Sequence, residues 1–230
     1  MKSKVLNYGG WMIVWVLIFY FVYTNALRYL NPDFAMSTRK PNPFAPVLVV
    51  HIVGGIAALL IGPFQFSTSL RLKHTLLHRN LGKVYLCAVL VSGLTAAYLS
   101  IFDNIIRKHE FAFGTGIFGL ALAWFITSGM AFFAIKNHNI FQHKEWMIRC
   151  YVVTFGFVTF RLILFALLPI DGFPFKKDLG GVAAWACWSI PLLFTEWILQ
   201  AQKITQRFKK QAPLSEVQLS AIPVPVSNNG

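Results

Sequence analysis

Six apolar stretches of membrane-spanning length constrain this chain more strongly than any other feature of its sequence. A helix needs about 20 apolar residues to cross a hydrocarbon core of about 30 Å. Only 13% of the residues are charged, whereas soluble domains have about 25%. We therefore predict an all-α fold, an integral membrane bundle of six transmembrane helices within residues 1–203. The predicted spans are residues 9–26, 46–68, 81–101, 111–135, 146–168 and 180–201.

The end of the chain has a different composition from the spans. It reads QAPLSEVQLSAIPVPVSNNG and is rich in proline, serine and asparagine. Such a segment has too few apolar side chains to form a packed core. We expect residues 204–230 to be a disordered cytoplasmic tail.

The distribution of positive charge predicts the orientation of the spans. A net charge of +13 would suggest nucleic-acid binding in a soluble protein, but here the basic residues flank the spans, so we expect a lipid bilayer and no nucleic acid as partner. If the N-terminus is inside, thirteen Lys and Arg residues fall on the inner side and seven on the outer side. The positive-inside rule then predicts that both termini are cytoplasmic.

Polar side chains within the spans predict a polar interior. Arg161 lies inside the fifth apolar run, and an ionised group facing lipid costs about 3 kcal/mol or more. If that span is one continuous helix, His143 is five turns from Arg161 and shares its face. Glu196 is the only acidic residue within a span. We expect Gln65 and Glu196 to belong to the same polar interior.

The second span carries a face of small residues between a histidine and an amide. Its members recur near helical spacing: His51, Gly54, Gly55, Ala58, Gly62 and Gln65. Small residues allow close approach of another group. Two interpretations are open, a neighbouring helix or a flat cofactor lying against the groove.

Histidines also mark the inner ends of the third and fifth spans. His78 opens a face of the third span that continues through Gly82, Tyr85, Val89, Ser92 and Ala96. His143 lies at a similar inner depth at the start of the fifth span. The two imidazoles would face each other if these helices are neighbours in the bundle.

Several segments of spans two to six resemble a widespread bacterial family of uncharacterised multi-pass membrane proteins. The segments are HIVGGIAALLIGPFQF, LHRNLGKVY, HKEWMIRCY, TFRL and CWSIPLLFTEW. The resemblance implies an integral membrane protein of six or seven helices in the bacterial inner membrane. It marks as matching positions His51, Gln65, His78, Arg79, Gly82, His143, Trp146, Arg149, Arg161 and Glu196, and it implies no particular activity.

The chain is also similar, more weakly, to two-haem transmembrane cytochromes of the b561 type, in which histidines on four consecutive helices pair across a bundle. The corresponding residues are His51, His78, His109 and His143, which alternate between outer and inner ends. This likeness implies haem b. His109 lies at the edge of its span, which leaves one complete pair.

Four functional hypotheses follow, and none assigns a catalytic residue. The first is a haem-binding electron carrier with a quinone or another redox partner, in which His78 and His143 ligate iron, His51 is a further candidate, and Arg149 or Arg161 neutralises the propionates. The second is a metal-dependent enzyme at the cytoplasmic face, using His74, His78, His138 and His143. The third is a transporter or proton-coupled carrier lined by Arg161, His51 and Glu196. The fourth is a structural role.

Overall fold

The computed structural model describes residues 2–30, 43–169 and 178–220, and its regular elements are all helical. The predicted all-α class is therefore confirmed. We number the α-helices in chain order: α1 (Lys2–Phe21), α2 (Ala45–Gln65), α3 (Thr68–Lys73), α4 (Thr75–Tyr98), α5 (Phe111–Lys136), α6 (Ile140–Thr154), α7 (Gly156–Leu167) and α8 (Leu179–Ser220).

Five helical segments of the described chain are long and apolar enough to cross a membrane, and a sixth span results if α6 and α7 are taken together. The third span is longer than predicted, because α4 begins at Thr75 and a π-helical segment, Leu99–Arg107, extends it. The second span is shorter than predicted at its inner end, because the chain turns after Gln65. The Ser67 hydroxyl then caps α3 by accepting a hydrogen bond from the Leu70 N–H. The single segments are Gly9–Ala26, Ala45–Gln65, Thr75–Arg107, Phe111–Lys136 and Leu179–Phe208.

The fifth span is broken, so the prediction of one continuous helix from His143 through Arg161 is wrong. Helices α6 and α7 meet at Phe155 with a bend of 41°. At the break the Thr154 hydroxyl donates to the Cys150 carbonyl, a local bond that bends helices. Gly156 follows, and a Cβ there would lie 3.3 Å from Leu120 Cδ1. The helical-wheel argument that put His143 and Arg161 on one face therefore does not apply.

Four helices supply most of the buried core of the bundle, and Cys187 of α8 also belongs to it. Helix α2 packs on α4 and α6, and α5 packs on the same two helices, so α4 and α6 face each other across the centre. The two helices also meet directly at the centre, through the hydrogen bond between Tyr85 and Thr154. The largest fully buried side chains of this core include Tyr85 of α4 and Trp124 of α5. Helix α1 packs on the outside, where Ile18 meets Leu59 and Val158.

The small residues of the second span pack against neighbouring helices. A Cβ on Gly54 would lie 3.0 Å from Ser92 Cβ and 3.2 Å from the Ala88 carbonyl oxygen. A Cβ on Gly62 would overlap the ring of Tyr151, whose hydroxyl donates to the Leu59 carbonyl at 3.2 Å. Of the two interpretations of this face, the close approach of other helices is the one seen.

The C-terminal part of the chain continues in helix beyond the sixth predicted span. The chain divides into two compact units, Met1–Leu192 and Leu193–Gly230. Helix α8 continues to Ser220, and a disordered tail over residues 204–230 stays a prediction. Lysine, arginine and glutamine are frequent from residue 202 to 211, and these residues favour helix. Residues 221–230 of the predicted tail lie outside the described residues.

Candidate functional site

The candidate site lies at the end of the bundle where α2 and α5 end and α4 and α6 begin, which we call the inner end. His143, in the first turn of α6, has its Nδ1 2.8 Å from the Ala131 carbonyl oxygen of α5. A carbonyl can only accept, so Nδ1 carries the proton and donates it. The Nε2 atom then keeps a free lone pair. This is the arrangement that orients a ligating imidazole.

His78 lies at the same end on α4, across the bundle from α6. It is close enough to His143, Arg71 and Arg79 for their charges to act on it. Its ring is half-buried, and its Nδ1 is buried without a hydrogen-bond partner among the described residues. The helices thus bring together the two histidines that the sequence singled out, although iron ligation by them stays a prediction.

Gln65 completes this end of the bundle as the last residue of α2. It is 8% exposed, and its Oε1 lies 3.4 Å from the position that a Cβ on Gly82 would occupy. Gly82 is one helical turn beyond His78 on α4, so the two positions share a face. The Gln65 Nε2 atom is also buried and unpartnered within the described part of the chain. The Gln65 amide therefore lies directly against α4 at Gly82.

Arg149 is buried on α6 and already has an acidic neighbour. It is 7% exposed, its guanidinium carbon lies 4.7 Å from the centre of the Trp146 ring, and its Nη1 is 3.5 Å from Glu145 Oε2. A charge opposed in this way is less available for a second anion. The predicted role in neutralising a propionate remains untested.

His51 lies toward the opposite, outer end, on α2. Its Nδ1 is 2.9 Å from the Ser92 carbonyl oxygen, and its ring meets Phe157 edge-on with 5.6 Å between centroids. His109 is the other histidine at that end, and it is exposed in the turn before α5 with φ at 59°. The outer end therefore holds one interior histidine among the described residues, and only the inner end holds two.

Arg161 and Glu196 lie on α7 and α8, and only Arg161 belongs to the same compact unit as the inner end. Arg161 is half-buried on α7, and among the described residues its guanidinium contacts the ring of Phe160, at 5.7 Å from the centroid. Glu196 belongs to the second compact unit and accepts a hydrogen bond from Gln200 at 2.6 Å. A transport path through Arg161, His51 and Glu196 stays a prediction.

The metal site expected at the cytoplasmic face does not form in the described chain. No group of three or more His, Cys, Asp or Glu side chains among residues 2–30, 43–169 and 178–220 could hold a metal ion. His74 and His138 are both exposed, and His138 has φ at 56° in the turn before α6. These two histidines lie on the surface while His78 and His143 turn inward.

The sequence did not predict a buried hydrogen-bond cluster at the centre of the bundle, formed by Tyr85, Trp124, Cys150 and Thr154. Thr154 Oγ1 accepts from the Tyr85 hydroxyl at 2.8 Å and from Trp124 Nε1 at 2.9 Å, and it donates to the Cys150 carbonyl. One hydroxyl donor and two lone pairs are thereby all used. One sequence feature pointed to this cluster. Cys150 and Thr154 are four residues apart in an apolar helix, so their side chains share one face.

A second polar cluster lies at the outer end, beyond residue 101, where the third predicted span ends. Asp103 is buried because the π-helical segment carries α4 past its expected end at residue 101. Its carboxylate pairs with Arg107 and with Lys108, the latter at 2.9 Å. Ser100 donates to the Gly114 carbonyl nearby. This cluster ties the end of the third span to the start of the fourth.

Comparison with known proteins gives one family. A family model described as "Predicted membrane protein (DUF2306)" matches residues 48–199, which include the inner histidines and Gln65. No curated protein and no solved structure matches the chain.

Proposed function

The chain belongs to the DUF2306 family of predicted membrane proteins, and we propose that it is a multi-pass electron carrier that binds one b-type haem at the inner end of its bundle. The observation that carries this proposal is the pair His78 and His143, which lie at one end on helices that face each other across the centre. Neutral imidazoles suit haem iron, and ligation by two of them favours electron transfer.

The chain's own groups fit this role. The Ala131 carbonyl fixes the tautomer and orientation of His143, so that Nε2 is the ligating atom. His78 has a buried nitrogen that no described group satisfies, and polar atoms left in this state often belong to a functional site. The bonds of Tyr85 and Trp124 to Thr154 hold α4 and α5 to α6 and so fix the separation of the two histidines. Haem, when bound, would supply a reversible one-electron couple.

The redox partner proposed is a quinone in the bilayer or a cytoplasmic donor. Long apolar side chains cover the outward faces of the spans, including Leu90, Leu94, Phe132 and Phe133, all exposed. Such a surface is in contact with lipid, in which quinones dissolve. A quinone could thus reach the bundle without leaving the membrane.

An absorbance spectrum of the purified full-length protein tests the haem proposal. After expression with a haem precursor, we expect a Soret band and, on reduction, the sharp α band of a six-coordinate b-type haem. The apoprotein titrated with hemin should give the same bands at one haem per chain. Absence of both bands in both experiments would contradict the proposal.

For location we propose the bacterial inner membrane with both termini in the cytoplasm, supported by the thirteen-to-seven distribution of basic residues. We expect a C-terminal fusion of alkaline phosphatase to be inactive, because that enzyme needs export. A fluorescent protein at the same position should fold and be bright. An active phosphatase fusion at Gly230 would reverse the topology.

A further inference from the structure

The inner end has a second property: two buried hydrogen-bond donors lie in a basic environment without a partner among the described residues. Gln65 Nε2 and His78 Nδ1 are the buried side-chain nitrogens without a partner in the described chain. A buried donor without an acceptor is costly, and ligands commonly satisfy such groups. Both atoms belong to the contact between the end of α2 and the start of α4, on the face that includes Gly82.

The charges around these donors are positive. Arg71 and Arg79 act on His78, and no ion pair among the described residues involves either guanidinium. No acidic residue occurs in the sequence between Asp33 and Asp103. An acceptor bearing negative charge is therefore favoured over a neutral carbonyl.

The side chains that flank the basic residues are apolar and exposed. Leu72 and Leu76 are 73% and 72% exposed, and both lie between Arg71 and Arg79 in the chain. Leucines placed beside arginines at the end of a span are suited to acyl chains below a charged headgroup. This favours a lipid over a soluble anion as the source of the acceptor.

We infer that the inner end binds the phosphate of an anionic phospholipid, with Gln65 Nε2 and His78 Nδ1 donating to phosphate oxygens and Arg71 providing charge. The site does not depend on haem. Iron would take the Nε2 atom of His78, and the phosphate takes Nδ1. A phosphate on Nδ1 would also strengthen the imidazole as a ligand, as carboxylates do for metal-bound histidines.

The test uses the full-length protein in detergent micelles containing either phosphatidylcholine or phosphatidylglycerol, with thermal unfolding followed by tryptophan fluorescence. We expect phosphatidylglycerol to raise the midpoint of the wild-type protein in a saturable manner. Gln65→Leu should bind this lipid on the order of tenfold more weakly, the loss expected for one hydrogen bond to a charged group. In phosphatidylcholine alone it should be as stable as wild type, because leucine removes an unpaired amide.

Two controls separate the alternatives. Gln142→Leu changes an exposed glutamine at the same end and should retain wild-type lipid affinity. His143→Ala, which should lose haem, should keep the phosphatidylglycerol effect, so failure of the haem proposal leaves this result intact. Equal affinity of the wild-type protein and Gln65→Leu for phosphatidylglycerol would contradict the proposed phosphate site. An equal stabilisation by inorganic phosphate alone would overturn the lipid as its source.

Discussion

Replacing His78 or His143 by alanine is expected to abolish the haem absorbance of the purified protein almost completely. Under the haem proposal both imidazoles would ligate the iron, and loss of either would leave one ligand where two are needed. The double variant should lose no more than either single variant, because the two residues act as a unit. Absorbance of the oxidised and reduced protein, normalised to protein concentration, measures the effect.

The matched control for these variants is His74→Ala, which removes an exposed histidine from the same inner end. It should keep the full haem signal. Thermal unfolding should show that all variants remain folded, and imidazole added to His78→Ala should restore part of the six-coordinate spectrum. If haem is present but survives both replacements, the inner pair is wrong and His51 is the next histidine to replace.

Replacing Gly62 by alanine is expected to destabilise the bundle by about 3 kcal/mol, the upper part of the range for overpacking. The new methyl group would overlap the ring of Tyr151, which is itself held by its hydrogen bond to the Leu59 carbonyl. Neither α2 nor α6 can move freely, since both pack on other helices of the bundle. Unfolding by dodecyl sulfate in mixed micelles, followed by tryptophan fluorescence, gives the change in free energy.

Gly129→Ala is the control for this substitution. Gly129 is also inside a helix, but a Cβ there has no neighbouring atom within 4 Å. Alanine should change stability by at most about 1 kcal/mol, in the favourable direction. The pair Gly62→Ala and Tyr151→Ala should couple, with the second change relieving much of the first. Equal effects of alanine at positions 62 and 129 would contradict the packing described for α2 and α6.

Much of the fold could be predicted from hydropathy. A segment that crosses a bilayer must satisfy its own backbone hydrogen bonds, so a long apolar run is expected to be a helix. The helical class and the approximate positions of the apolar segments follow from the length of a span. The buried face of α4 through Tyr85, Val89 and Ser92 followed from helical periodicity and is buried in the structure. These features depend on local composition and spacing alone.

What could not be predicted depends on contacts between distant parts of the chain. The break at Phe155 arises where the hydroxyl of Thr154 accepts bonds from α4 and α5, so periodicity within the fifth span did not reveal it. Asp103 lies past the end of the predicted third span at residue 101, yet its ion pairs with Arg107 and Lys108 allow it to be buried. The inner site was predicted only as two histidines. Gln65 was noted as polar, but its unpaired amide is visible only in the folded chain.

The pairing of helices within the bundle also determines how it can be assembled during synthesis. Helices α2 and α4 form one close antiparallel hairpin and α5 and α6 another. Each hairpin joins segments adjacent in the chain, so each can pack soon after its second helix has entered the membrane. Tyr85 belongs to the first hairpin, whereas Trp124 and Thr154 belong to the second. The Tyr85–Thr154 hydrogen bond can form only after both hairpins have been inserted and have met, and it therefore reports the docking of one hairpin on the other.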